Sequence, residues 1–150
     1  MQCNLDHYSI RTTQLDATVG FYCDLLGLRN GERPPFKFPG AWLYNDRQAL
    51  VHIIGIDPND PSGLIEYLGD KDPSTLVGGG AFDHVAFAMT DLPALYARIH
   101  ARGAPFRERT VPDLNLHQVF LEDPNGVTLE LNFTADDKAR ADRAAAAVPA

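Results

Sequence analysis

The sequence lacks most of the features that mark secreted, membrane-spanning and nucleic-acid-binding proteins. Its 150 residues include only two cysteines, Cys3 and Cys23, which are too few for a disulfide framework. It shows no secretory signal pattern, and no apolar run approaches the roughly 20 residues that cross a bilayer. Lysine and arginine number 13 against 20 acidic residues, so the formal net charge is −7 and no basic stripe is present. We therefore expect a cytoplasmic protein whose partner is neither nucleic acid nor membrane.

The composition is that of an ordinary globular protein. Hydrophobic residues make up 45% of the chain and charged residues 22%, which is enough apolar material to bury a real core. A chain of this length matches the commonest domain size. We predict one domain over residues 1–150, with two related halves inside it.

The first sign of internal duplication is a repeated strand pattern. LDHYSI at residues 5–10 is similar to FDHVAF at residues 82–87, and each segment leads into a helical pattern. The two segments place His7 and His84 at corresponding positions. A repeat at a fixed spacing indicates that the chain is built from copies of one structural unit.

A second repeated pattern lies near the end of each half. ALVHI at residues 49–53 is similar to VTLEL at residues 127–131, so His52 corresponds to Glu130. The offset along the chain differs by one position from that of the first pattern. Two independent matches at nearly one offset indicate a duplicated structural unit.

Each half has the hydrophobic pattern of a strand, a helix and three further strands. Gly27 and Gly103 are placed to end the two helices. The predicted strands cover residues 5–11, 28–33, 41–45 and 49–56 in the first half and residues 82–88, 105–110, 117–122 and 127–133 in the second, and the predicted helices cover residues 16–26 and 92–102. Module one therefore spans about 4–56 and module two about 81–133, joined by a linker at about 57–80 and followed by a tail at 134–150. The Ala-rich, charged tail is either a surface helix or frayed.

Four side chains of metal-binding type lie within these apolar strand patterns. A lone histidine in a strand is more often a core residue with a hydrogen-bond partner, but these four all fall at duplicated positions. Polar groups in a core are costly unless they are paired or bind a metal. Three imidazoles and one carboxylate form a suitable ligand set for a divalent first-row metal. The predicted ligands are His7, His84, Glu130 and His52; the alternative for His52 is an acid–base residue beside the metal.

Aromatic residues are predicted to form the walls of the same site. The DPNG turn at residues 123–126 favours a bulged hairpin, which pairs Phe120 with Glu130 and, by the same count, Trp42 with His52. Core packing of these two aromatics is the alternative. The irregular loop at residues 34–40 carries two more aromatic residues. We predict a substrate pocket formed by Trp42, Phe120, Phe36, Phe38 and Tyr44, whereas His117 and His100 are expected to be structural or solvated.

These motifs resemble a known superfamily. FYxxxLGL at residues 21–28 and DPxGxxxE at residues 123–130, together with the two Asp-His strand starts, are similar to the glyoxalase/bleomycin resistance/extradiol dioxygenase (vicinal oxygen chelate) superfamily. The resemblance covers roughly residues 4–133. It implies an α+β fold of two βαβββ modules that form a cupped mixed sheet around a metal, and often a homodimer. The ligand positions of the superfamily fall on His7, His52, His84 and Glu130.

The resemblance implies a small-molecule enzyme but leaves the reaction open. Lactoylglutathione lyases carry Glu or Gln where this chain has His52, and extradiol dioxygenases commonly carry Tyr where it has Phe120. The triad of His7, His84 and Glu130 suits ferrous iron. We therefore favour dioxygenase-like cleavage of a catechol with Fe2+, with His52 as catalytic base and with Mn2+, Ni2+, Co2+ and Zn2+ as alternative ions.

Two further readings of the resemblance stay open. One is a glyoxalase-like lyase or isomerase that acts through an enediolate. The other is a metal-free binding protein of the bleomycin-resistance type, which the four ligand-type side chains disfavour. A relationship to fosfomycin-modifying enzymes is also open, although no basic cluster for a phosphonate is visible in the sequence.

Overall fold

The computed structural model describes residues 5–70, 76–80 and 82–146. The chain divides into two compact units, Met1–Gly78 (unit one) and Gly79–Ala150 (unit two). Unit one contains β1 (Tyr8–Thr12), α1 (Leu15–Leu26), β2 (Arg29–Gly31), β3 (Gly40–Tyr44), β4 (Ala49–Gly55) and α2 (Ser62–Leu68). Unit two contains β5 (His84–Ala88), α3 (Leu92–Arg102), β6 (Arg107–Val111), a 3-10 turn (Pro112–Leu114), β7 (Leu116–Glu122), β8 (Thr128–Thr134) and α4 (Ala135–Ala146). The predicted α+β fold of two βαβββ modules is confirmed.

The two sheets have the same topology. Their strand orders are β1-β4-β3-β2 and β5-β8-β7-β6. In each sheet the first and last strands of the module pair in parallel, and the remaining neighbours are antiparallel. The last strand of each module is therefore central, with the first strand on one side and the third on the other. This arrangement places the predicted ligand positions of each module on the last strand and at or just before the start of its parallel neighbour.

Alternation along the strands separates a core face from a polar face in each unit. In β4, Val51 and Ile53 are buried, whereas His52 between them points to the other face. In β8, Leu129 and Leu131 are buried on either side of Glu130. Unit one packs α1 against β3 and β4, through a core that includes Tyr22, Leu25 and Leu43. In unit two, the buried face of α3 is formed by Leu92, Leu95 and Ile99.

Both main helices end where the sequence predicts, and α3 also begins there, whereas α1 begins one residue earlier than predicted, at Leu15. Helices α1 and α3 both stop at a glycine in the left-handed region, Gly27 with φ 71° and Gly103 with φ 63°. The backbone N–H of each glycine donates to a carbonyl of the preceding turn. Asp91 accepts a hydrogen bond from the backbone N–H of Ala94 and so caps the start of α3.

Two helices lie outside the repeated modules. The tail forms α4, which contacts α3, β7 and β8, so of the two alternatives for the tail the helix is correct over Ala135–Ala146. The predicted linker contains α2, where Leu64 is buried. The prolines and glycines around α2 conceal a helix of only seven residues, which is too short to give a clear periodic pattern. Among the described residues, no helix combines the length and apolar character that crossing a bilayer requires.

Candidate functional site

Unit two places two predicted ligands next to each other. His84 is the first residue of β5, and its Nε2 lies 3.3 Å from Oε2 of Glu130 on the neighbouring strand β8. The other ring nitrogen, Nδ1, is hydrogen-bonded to the carboxylate of Asp83 at 2.7 Å. A carboxylate on one nitrogen fixes the ring orientation and leaves the other nitrogen free to bind, which is common for metal-binding histidines.

The carboxylate of Glu130 is held from its other side by two amide groups. Gln118 of β7 donates from Nε2 to Oε1 of Glu130 at 2.6 Å, and Asn132 donates from Nδ2 to the same oxygen at 2.9 Å. Gln118 is 4% exposed and also donates to Oδ1 of Asn132 at 3.0 Å. Arg109 of β6 donates from Nε to the side-chain oxygen of Gln118 at 2.7 Å. Oε2 is thus left as the oxygen of Glu130 that faces His84.

In unit one, the two predicted ligands, His7 and His52, stack ring on ring, whereas in unit two a ring nitrogen of His84 points at the carboxylate of Glu130. The rings of His7 and His52 lie with centroids 3.8 Å apart and planes at 18°. The ring of Trp42 lies against the His52 ring at 4.1 Å and 7°. Nδ1 of His7 is hydrogen-bonded to the carboxylate of Asp6 at 2.5 Å, as His84 is to Asp83. Burial, and secondarily the nearby His7, lowers the pKa of His52.

This stacking limits how the two imidazoles can act together. An imidazole nitrogen binds a metal in the plane of its ring. Because the two rings are nearly parallel and offset by 3.8 Å, an ion in the plane of the His7 ring lies off the plane of the His52 ring. In this arrangement only one of the two can bind a given ion. The geometry is compatible with His7 as the ligand and His52 as the acid–base residue beside it.

A small cavity opens beside the stacked rings in unit one. Its volume is about 180 Å³, and its lining includes the stacked rings together with Phe36, Phe38 and Arg33. The rings of Phe36 and Phe38 are stacked at 5.2 Å, and the guanidinium of Arg33 lies 4.8 Å and 5.0 Å from their centroids. Arg33 also donates to the carbonyl of Phe38 at 2.9 Å. The loop at residues 34–40 therefore forms an aromatic wall held in place by an arginine.

The two remaining predicted pocket residues lie elsewhere. Tyr44 donates its hydroxyl to the carbonyl of Glu32 at 2.8 Å. Phe120 of unit two is 7% exposed and lines a second cavity, of about 350 Å³, together with Arg107. The guanidinium of Arg107 lies 4.0 Å above the Phe120 ring. The structure thus brings Trp42, Phe36 and Phe38 together and leaves Tyr44 outside their cavity.

The predicted hairpin pairing is confirmed in both units. Phe120 pairs with Glu130, and Trp42 pairs with His52. The backbone N–H of Asp123 donates to the carbonyl of Val127 across the turn at 3.0 Å, and Gly126 has φ 77°. These pairs put each aromatic ring on the same face of the sheet as its neighbouring ligand position.

The positions of the two strand-start histidines differ from the prediction. Strand β1 begins at Tyr8 and β5 at His84, so the predicted mid-strand placement of His7 and His84 is wrong. Their side chains are 36% and 37% exposed. Leu5 and Phe82, two positions before these histidines, are exposed and make no strand pairs, although their apolar character extended the strand pattern in the sequence. The cost of burying a polar group therefore does not apply to these two histidines.

Other histidines behave as expected from the sequence. His117 is 1% exposed, and its ring is hydrogen-bonded to Thr110 at 3.0 Å and Tyr96 at 3.3 Å, which is the environment expected of a structural histidine. Burial, followed by the hydrogen bond to Glu108, raises the pKa of Tyr96. His100 lies on the exposed side of α3.

The side chains of unit two fit a divalent metal as a pair of ligands. Two atoms that each lie about 2.0–2.2 Å from one ion, at an angle of about 90–110°, are roughly 2.8–3.6 Å apart. The separation of 3.3 Å between His84 and Glu130 falls inside that interval. Over residues 5–70, 76–80 and 82–146, neither unit by itself gathers three or more His, Cys, Asp or Glu side chains around one point. Each unit holds two of the predicted ligand residues next to each other: His7 and His52 in unit one, and His84 and Glu130 in unit two.

Comparison with known proteins gives consistent matches along most of the chain. A family model described as the Glyoxalase/Bleomycin resistance protein/Dioxygenase superfamily matches residues 4–131. A probable lactoylglutathione lyase of Synechocystis sp. is 27% identical over 137 residues, covering 88% of this chain and 96% of the relative. A lactoylglutathione lyase of Haemophilus influenzae is 27% identical over 129 residues, covering 83% of this chain and 87% of the relative.

Solved structures show the same fold. A putative glyoxalase family protein from Bacillus anthracis superposes with a TM-score of 0.64 and 16% identity, over 89% of this chain and 97% of the other. At that identity the likeness shows the fold alone. The family match spans most of the chain and agrees with the duplicated modules seen in the structure. The chain therefore belongs to the Glyoxalase/Bleomycin resistance protein/Dioxygenase superfamily.

Proposed function

We propose that the protein is a metal-dependent lyase or isomerase of the glyoxalase type. Its substrate would carry oxygens on adjacent carbon atoms, and the reaction would move a proton between those carbons. The sequence alone favoured a dioxygenase, but the curated relatives described above are named lactoylglutathione lyases, which supports the alternative. A hemithioacetal of glutathione is accordingly the first substrate to test.

The observation that carries this proposal is the environment of Glu130. A proton transfer next to a carbonyl needs a base at a fixed position close to the substrate. Glu130 has one oxygen tied to Gln118 and Asn132 and its other oxygen facing His84. A carboxylate held in this way can bind an ion and can accept a proton through the same oxygen, Oε2.

The chain's own residues can be assigned roles in such a reaction. His84, Glu130 and His7 are the proposed metal ligands, and a bound divalent ion would polarise the adjacent oxygens of the substrate and stabilise negative charge on them. Oε2 of Glu130 would accept the proton that leaves the substrate carbon. His52, which occupies the corresponding position of unit one, is the proposed second acid–base group.

The aromatic cavity of unit one contributes binding rather than proton transfer. Trp42, Phe36 and Phe38 present apolar faces that exclude water from a substrate seated beside them. Arg33 holds the loop that carries two of these rings. We propose this cavity as the part of the pocket that receives the apolar portion of the substrate. Tyr44 lies outside it, and Phe120 lines the separate cavity of unit two.

The decisive experiment measures both candidate activities in one preparation. Metal-free protein is loaded anaerobically with Ni2+, Zn2+ or Fe2+ and assayed for isomerisation of a glutathione hemithioacetal and for ring cleavage of a catechol. Hemithioacetal turnover is expected. The variants Glu130→Gln and His84→Ala should lower it by about 10²–10⁴-fold, the usual contribution of a general base and its partners.

Two matched variants control for the loss of any glutamate or histidine. Glu32→Gln and His100→Ala remove exposed side chains of the same types and should leave turnover unchanged. Cleavage of the catechol by the iron-loaded protein, without hemithioacetal turnover, would reverse the proposal in favour of the dioxygenase. Ligand binding without either activity would instead favour a binding protein of the same superfamily.

We also propose that the protein is a homodimer. A measurement of its molar mass in solution tests this proposal.

A further inference from the structure

The two units surround their corresponding ligand positions with different kinds of side chain. In unit one, Gly40 lies two residues before Trp42 and Ile54 lies two residues after His52. Both are on the same face of the sheet as Trp42 and His52, and they pair with each other. In unit two, the residues at the matching places are Gln118 and Asn132. The duplicated strands are otherwise paired in the same way. The amide groups are therefore a feature that only the carboxylate position has.

The amides of unit two are oriented by a third residue. A glutamine side chain can present either its oxygen or its nitrogen toward a neighbour. Arg109 can only donate, and its Nε donates to the oxygen of Gln118 at 2.7 Å. The nitrogen of Gln118 must then point the other way, where it donates to both Glu130 and Asn132. The chain of donors runs in one direction, from Arg109 through Gln118 to Glu130.

The result is a carboxylate with two unequal oxygens. Oε1 of Glu130 receives both amide hydrogen bonds, at 2.6 Å and 2.9 Å. Oε2 is directed at Nε2 of His84, 3.3 Å away. Rotation of the carboxylate would break two hydrogen bonds in a largely buried place, so it is opposed by the cost of leaving these amides unpaired.

We propose that Gln118 and Asn132 form an amide clamp, oriented by Arg109, that fixes Glu130 so that Oε2 alone is presented to a metal ion. This inference rests on the proposed function, because it takes Glu130 to be a ligand. The three residues are positioning residues, since they act on the metal only through Glu130. Loss of such supporting contacts typically lowers metal affinity by 10–100-fold.

The test measures metal affinity directly. Ni2+ affinity is determined by competition with a chromophoric chelator for the wild type and for Gln118→Met and Asn132→Leu, which keep size but remove the donor. Both variants should bind Ni2+ about 10–100-fold more weakly. Melting temperatures of the metal-free proteins are recorded in parallel. A merely structural role would lower the melting temperature and leave the affinity of the folded protein unchanged.

Arg109→Met gives the sharpest comparison because two explanations predict opposite signs. Removing a nearby positive charge should by itself strengthen cation binding. The clamp predicts weaker binding, because the amide of Gln118 is no longer held with its nitrogen toward Glu130. Arg29→Met, an exposed arginine on the corresponding edge strand of unit one, is the matched control and should leave the affinity unchanged.

Activity provides a second readout. In the clamp variants, saturated with Ni2+, turnover of the hemithioacetal should fall through kcat, with little change in KM. Unchanged Ni2+ affinity in both amide variants, or tighter binding in Arg109→Met, overturns the clamp and leaves the proposed function standing. A wild-type protein that binds none of the ions overturns the proposed function and the clamp together.

Discussion

Trp42 is the only tryptophan of the chain, and one face of its indole ring is covered by His52 at 4.1 Å. Its fluorescence therefore reports on the imidazole at the proposed acid–base position. His52→Ala uncovers that face, so the emission maximum should shift to longer wavelength as water reaches the ring. Asp16→Ala, in the first turn of α1, is the control and should leave the spectrum unchanged. An unshifted spectrum in His52→Ala would show that the rings are not stacked in solution.

At the level of single residues, the sequence predicted the proposed ligands but not the side chains that surround them. His52 and Glu130 were predicted because an imidazole and a carboxylate interrupt apolar strands at duplicated places. Gln118 and Asn132 were missed, although they share the parity of Phe120 and Glu130 in otherwise apolar strands. Alternating polar residues are also what a solvent-facing strand shows, so the pattern cannot distinguish a buried hydrogen-bond network from exposure. The register of β7 against β8 makes that distinction, because it pairs Gln118 with Asn132 next to Glu130.

At the level of elements, two glycines of one helix make opposite contributions to stability. Gly20 lies inside α1 with open space where a Cβ would be, so Gly20→Ala should stabilise the protein by about 0.5–1 kcal/mol through the lower entropy of the unfolded chain. Gly27 ends the same helix at φ 71°, so Gly27→Ala should destabilise it by about 1–2 kcal/mol. Chemical denaturation of both variants measures the two effects. Equal effects would contradict the left-handed cap.

The start of α4 gives a prediction about acid. Thr134 and Asp137 form a capping box: the backbone N–H of Asp137 donates to the Thr134 hydroxyl oxygen at 3.1 Å, and the Asp137 carboxylate accepts from the backbone N–H of Thr134 at 3.2 Å. The same carboxylate also accepts from the Thr134 hydroxyl at 2.7 Å. The Thr134 hydroxyl is the main cause that lowers the pKa of Asp137. Because the folded pKa lies below the unfolded value of about 3.9, this stabilisation is present above that pH. It is lost as the pH falls through the folded pKa.

Asp137→Asn should therefore be less stable than the wild type near neutral pH and should approach it at the acid end of the range. Thr134→Ala, which removes the other half of the box, should cost about 0.5–2 kcal/mol. Asp136→Asn changes the neighbouring carboxyl of the same turn and should follow the wild-type curve. Melting temperatures between pH 7 and pH 2 provide the comparison. A constant difference between Asp137→Asn and wild type would exclude the linkage.

The sequence predicted most elements because their signals are local. Helix α3 begins and ends at the predicted residues, since a proline follows its cap and a glycine ends it. The capping box of α4 was present as Thr134-Ala-Asp-Asp137 but was hidden by an alanine-rich, charged tail that also fits a frayed end. Helix α2 was missed because seven residues cannot show a helical period.

For the whole molecule, the proposed metal should act on global stability. An ion that binds only the folded chain stabilises it by about 2.7 kcal/mol when present at 100 times its Kd. For a chain of this length that corresponds to a rise in Tm of roughly 5–10 °C. Thermal scans with Ni2+ and with a chelator test the expectation. Glu130→Gln should abolish the rise and Glu32→Gln should retain it. Identical melting curves with ion and with chelator would count against a functional site.

The duplicated units limit how this protein can change. Replacing His52 by Glu would give unit one a carboxylate at the position that corresponds to Glu130, but Gly40 and Ile54 stand where Glu130 has its amide donors. Supplying the missing glutamine is obstructed, since a Cβ at Gly40 would lie 2.5 Å from the carbonyl oxygen of Ile53. A carboxylate at position 52 would thus replace an imidazole ring that is stacked with the rings of His7 and Trp42. The side chains at positions 52 and 130 are therefore not interchangeable, because a donor beside a carboxylate at position 52 would require a change in the backbone around Gly40.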